Sequence, residues 1–282
     1  MLAILGGLGA ATMWTVTTIC SSRSSRVIGV GSTLAWVMLV GLAITFPFVV
    51  ASGVPADLDG AAVGRLVVAG GGNVLGLLLE YRAFRLGKVG VVSSIASTEG
   101  AIAALIAVAV GESISPGAGV TLAAIAAGVC LAALAGDGDQ RAESREALSA
   151  LFAVGAALSF GISVYATGRV SQELPIPWAV LPARAVGVAA VAIPLAVTAR
   201  LRITRRAAPL VAVAGLCEVL GFASFAIGAR HGIAVTAVLG AQFAALSALA
   251  ARVLFHERLT RLQLVGVVVI VAGVAILAAL IA

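Results

Sequence analysis

The chain has 282 residues, of which 61% are hydrophobic and 11% charged, and its mean hydropathy is +1.16. Soluble domains carry about 25% charged residues, so a soluble globular protein is excluded. The formal charge of +6 lies at the ends of apolar runs rather than along one polar helix or tail, which excludes nucleic acid as the partner. Apolar runs of about 20 residues match a hydrocarbon layer of roughly 30 Å, and nothing alternates at period two as a transmembrane barrel requires. An all-α, polytopic membrane protein is the fold class that remains.

Taken from charge to charge, the first half predicts spans at Leu2 to Cys20, Val27 to Ala51, Ala61 to Arg82, Val89 to Gly111 and Gly117 to Leu134. The second half predicts Leu148 to Thr167, Ile176 to Thr198, Ala208 to Ala229, Ile233 to Leu254 and Leu262 to Ala282. Met1 leads directly into an apolar run with no basic stretch before it, so no cleavable signal is expected. Ser115-Pro116 and Thr260 supply start signals for the fifth and tenth helices. Between the halves, GDGDQRAESREALSA is the longest hydrophilic segment and suits a solvated linker. The predicted organisation is therefore a repeat over 1–135, a linker over 136–147 and a second repeat over 148–282.

The halves align at a nearly constant spacing. At 145 residues Arg85 meets Arg230, Gly76 meets Gly221 and Glu112 meets Glu257, and at 146 residues Gly9-Ala10-Ala11 meets Gly155-Ala156-Ala157. Five spans is an odd number, so the second copy enters the membrane from the opposite side. The expected architecture is ten helices in two inverted five-helix repeats, as in secondary transporters that rock around a midplane site.

Polar groups inside the spans mark the candidate site, because an ionised side chain at a helix centre costs about 2.5 to 3.5 kcal/mol unless it meets a partner or a wet cavity. Glu99 and Glu218 lie deepest in their spans. Asn73, Gly76 and Glu80 share one helical stripe at i, i+3 and i+7, repeated by Glu218, Gly221 and Phe225. For Glu80, beside Arg82 at a span end, an interfacial salt bridge competes with a place in the site. For Arg184, snorkelling to the interface competes with pairing to a buried glutamate. Gln242 aligns with Ser97 on the Ser93/Ser97/Gly100 stripe, and Trp14, near the middle of its span, either lines a cavity or packs. Glu112 and Glu257 sit at span ends and suit capping, while Gly72 and Gly76 suit close helix packing. Cys20, Cys130, Cys217, His231 and His256 show no metal spacing, so neither metal nor cofactor is expected.

Each half ends in a pattern that resembles the EamA module of the drug/metabolite transporter superfamily. The segments are FRLGKVGVVSSIASTEGAIAALIAVAVGESIS, and GARHGIAVTAVLGAQFAALSALAARVLFHERLTRLQLVG followed by VVVIVAGVAIL. Their Gly-Glu and His-Glu-Arg-Leu-Thr ends are similar to that family's Gly-Glu-Arg-Leu hallmark. The family often has a proline about thirteen residues before the hallmark glutamate, where this chain has Glu99 and Ala244. The resemblance implies export of a small metabolite or drug-like solute, with both termini in the cytoplasm.

The residues themselves point to a secondary transporter in the cell membrane, with a small solute and the lipid bilayer as partners and a monomer or homodimer as its assembly. A carboxyl group in low-polarity surroundings exchanges a proton readily, so Glu218 or Glu99 is available for proton coupling. No GxxxxGK[ST] phosphate loop is present. The alternative is a membrane-embedded hydrolase, such as an isoprenyl diphosphate phosphatase. It is disfavoured because acidic pairs at i, i+3 or i+4 occur only among Asp139, Glu143 and Glu146, in the linker. Positive charges concentrate after odd-numbered spans, which places both termini outside, against the family habit.

Overall fold

The computed structural model describes residues 1–109, 117, 120–121, 124, 127–128, 140–231, 236, 239–255 and 260–281. All regular structure among them is helical. Among the described residues, six helices are long and apolar enough to cross a membrane, accompanied by shorter apolar helices over Val89–Ala103, Leu239–Ala251 and Leu264–Gly273. Most of the expected fifth span lies outside the described residues, as do Glu112, Ser115, Pro116, Cys130, His256 and Glu257.

The first half comprises α1 (Leu2–Ile28), α2 (Val30–Ser52), α3 (Gly60–Leu86), α4 (Val89–Ala96) and α5 (Glu99–Ala109). Helix α1 continues to Ile28 rather than stopping at Cys20, because Ser22, Ser24 and Ser25 bond carbonyls of their own turns and need no water. Gly29 then ends it with φ of +89°, a conformation that costs glycine little. Asp59 caps α3 by accepting a hydrogen bond from the Ala62 amide at 2.6 Å.

The second half comprises α6 (Gln140–Glu173), α7 (Ile176–Gly187), a π-helical turn (Val188–Ala192), α8 (Ile193–Val197), α9 (Ala208–Ala229), α10 (Phe243–Leu254) and α11 (Arg261–Ile281). The most extensive packing pairs α3 with α6 and α1 with α9, and α4 packs on α10. Small residues set these interfaces: a Cβ on Gly72 would lie 2.8 Å from the Ser159 carbonyl oxygen, and one on Gly6 would lie 2.6 Å from that of Ser224. In lipid, which is as apolar as leucine, such close approach replaces the hydrophobic drive between helices. Leucines and valines such as Leu5, Val67, Leu151 and Val253 stay exposed on the outer surface.

The fourth span is interrupted at Ser97 and Thr98, and the ninth at Gln242, 145 residues after Ser97. No proline causes this. At the first interruption the hydroxyls of Ser97 and Thr98 donate to the carbonyls of Ser94 and Ile95, which tightens the chain into i to i−3 bonding.

Candidate functional site

The two tightest helix pairs converge on one buried cavity. Its wall is built from residues at the repeat spacing: Trp14 with Phe160, Thr17 with Ser163, Thr18 with Val164, Asn73 with Glu218, and Leu77 with Phe222. Glu80, Glu99 and Phe243 complete it. Equivalence extends to bonding. Thr17 donates to the Ala214 carbonyl at 3.3 Å, and Ser163 to the Ala69 carbonyl at 2.7 Å, each pairing an odd helix of one half with the third helix of the other. An aromatic ring covers a glycine in both copies, since a Cβ on Gly76 would meet Phe160 at 2.5 Å and one on Gly221 would meet Trp14 at 2.6 Å. The pairing of Arg85 with Arg230 has no such counterpart: Arg85 faces a surface cavity, whereas Arg230 donates to the carbonyls of Ser171 and Leu174.

Asn73 and Glu218 are neighbours on the cavity wall, with the amide side chain acting on the carboxyl group. Asn73 Oδ1 has no hydrogen-bond partner among the described residues, which leaves the amide nitrogen as the group that can donate to a carboxylate. Glu80 is 4% exposed and lies on the cavity rather than in an interfacial salt bridge. Residues two apart on a helix point about 200° from each other, so Arg82 turns away and its guanidinium lies 5.5 Å from the Phe152 ring centroid. Glu99 opens α5, where the helix dipole favours an acidic group, and Gly161 lets α6 approach it closely.

Arg184 does not snorkel. It is 1% exposed, held in a notch left by Gly41, with its guanidinium 4.9 Å from the centroid of Phe222. Its Nε, Nη1 and Nη2 atoms have no hydrogen-bond partner among the described residues. Glu218 is the acidic group that acts on it through space, although the two form no salt bridge within 4.0 Å. Arg184 thus stands behind Phe222, outside the cavity lining. Gln242 is also outside that lining, at the start of α10. The residues that sequence reasoning passed over are Thr17, Thr18, Ser163 and the ring set Phe160, Phe222 and Phe243. The 146-residue spacing that pairs Trp14 with Phe160 and Thr17 with Ser163 was the available signal.

The cavity is small, about 40 Å³, room for a few waters at the roughly 10–15 Å³ each requires. Three carboxyl groups and four aromatic rings face it, and among the described residues no lysine or arginine does. That combination attracts cations, protons included, through both charge and ring quadrupoles.

Long apolar helices around a mainly apolar cavity that holds three carboxyl groups define a multi-pass membrane protein of the transporter class. The chain belongs to the EamA-like transporter family, whose model matches residues 1–134 and 147–279. It is of the drug/metabolite transporter type. No curated protein matches the chain. Among solved structures, one titled only as the crystal structure of a protein superposes with a TM-score of 0.69 at 18% identity. The match covers 97% of this chain and 95% of that one, and at this identity it supports the fold alone.

Proposed function

We propose that this protein is a secondary transporter that exports a small cationic or amine-bearing solute across the cell membrane in exchange for protons. Two inverted five-helix units, over 1–135 and 148–282, alternate access to the cavity between them. Glu218 is the coupling group: it holds either a proton or the solute's cationic centre, with Asn73 fixing its orientation. Glu99 and Glu80 attract the cation, Trp14 and Phe222 flank it, and the positive charge of Arg184 competes with the solute's cationic centre for Glu218. Gln242 takes part through the interruption of its helix, as Ser97 does in the other half.

The observation that carries this reading is the placement of Asn73 and Glu218 together on a cavity lined by equivalently spaced residues of both halves. A single-sided pocket has no reason to be built from such pairs, whereas alternating access about an in-plane axis does. The hydrolase reading is not favoured, because a diphosphate needs converging basic groups and this cavity presents carboxyls. Purified protein in liposomes with an acidic interior should take up ammonium solutes above the protein-free background without releasing phosphate from isoprenyl diphosphate. Phosphate release without uptake would reverse the assignment.

A further inference from the structure

A second cavity, of about 480 Å³, opens where α3 ends and α6 begins, and its charge is opposite to that of the first. Arg82 and Arg85 reach it from the last turns of α3, and Arg145 from α6 just before the apolar run that starts at Leu148. All three are exposed, and among the described residues none forms a salt bridge. The nearby acid, Glu146, pairs instead with Lys88 at 3.6 Å. Three guanidinium groups around one space repel each other unless an anion is shared between them, and their planar donor forks fit phosphate oxygens. The remaining wall is apolar, formed by Val30, Leu86, Leu148 and Phe152.

We propose that this cavity binds the phosphodiester headgroup of an anionic phospholipid. The acyl chains then run along α6, where Leu148, Leu151 and Leu158 are 44%, 66% and 50% exposed in one lipid-facing series. A soluble phosphate compound has no use for such a series. Volume is adequate too, since small-molecule pockets span roughly 300–1,000 Å³. The cavity lies on the face that also carries Arg23, Arg26, Lys88, Arg202 and Arg205. By positive-inside counting that face is cytoplasmic, where anionic lipid is concentrated. Bound there, the lipid bridges the two halves at the point where α6 leaves the linker.

The test is the thermal midpoint of the full chain in neutral detergent, supplemented with phosphatidylglycerol, phosphatidylcholine or inorganic phosphate. Phosphatidylglycerol should raise the midpoint by about 3 °C over phosphatidylcholine in the wild type. Arg82→Gln/Arg85→Gln/Arg145→Gln should lose that increment, and Arg145→Gln alone, a change at an exposed site, should lose part of it if the triple variant does not fold. An equal increment in wild type and variants overturns the proposal. So does an equal rise with inorganic phosphate, which would make the ligand a free anion, and so does the absence of any increment in the wild type.

Discussion

Glu218 and Arg184 are both fully buried, yet they have different surroundings. Glu218 lies beside the Asn73 amide on the cavity wall, whereas the donors of Arg184 have no hydrogen-bond partner among the described residues. Burying an unpaired charge costs several kcal/mol, and apolar replacements of buried ionic groups are often neutral or stabilising by about 1–4 kcal/mol. Arg184→Met should therefore leave the thermal midpoint unchanged or raise it, even after loss of the contact with Phe222. A fall of more than about 5 °C would mean that Arg184 has a stabilising partner. Glu218→Gln keeps an acceptor for Asn73 and should shift the midpoint by less than about 2 °C. Sequence made Glu218, Glu99 and Asn73 conspicuous, because a polar group in the middle of an apolar span requires a reason. For Glu80 it left a salt bridge with Arg82 and a place in the site both open, and chain adjacency concealed that the helix turns the two side chains apart. For Arg184, counting residues from the span end could not reveal that α2, α3 and α9 pack against α7 and cover that side chain.

At the scale of elements, glycines and hydroxyls take over the role that leucine has in soluble cores. The Gly76–Phe160 and Gly221–Trp14 contacts are the same device used twice, so equivalent damage should have equivalent effects. Gly76→Leu and Gly221→Leu should each lower the thermal midpoint and the transport rate, with stability losses of about 1–3 kcal/mol from overpacking. If one variant were neutral and the other unfolded, the two positions would not be equivalent, and the inverted repeat would lose its main support. The interruptions at Ser97–Thr98 and Gln242 were less legible. Proline is the usual sequence sign of a broken membrane helix, and at Ser97–Thr98 the two hydroxyls bonded to the carbonyls of Ser94 and Ile95 stand in for it. Their amides should exchange hydrogen faster than those of α3 or α9, which mass spectrometry of peptides spanning residues 92–103 can measure.

For the whole molecule, the helical class and the two-part organisation were readable from hydropathy and spacing. The depth and narrowness of the cavity were not, since they depend on how closely α1 meets α9 and α3 meets α6. Orientation follows from charge: the face carrying Arg23, Arg26, Arg82, Arg85 and Lys88 should be cytoplasmic, with the start of α1 outside. An alkaline phosphatase fused to the C-terminus should be active and a fluorescent protein dark, and the reverse pattern would place the termini in the cytoplasm. The central claim is that the cavity between the halves exchanges a cation for a proton at Glu218. Its most direct test is uptake of a quaternary ammonium solute, which cannot cross lipid or carry a proton itself, into acid-loaded proteoliposomes of wild type and Glu218→Gln. Wild type should show concentrative uptake that collapses when the pH gradient is dissipated, and a well-folded Glu218→Gln protein should show uptake at the protein-free background. Undiminished gradient-driven uptake by that variant would contradict the claim.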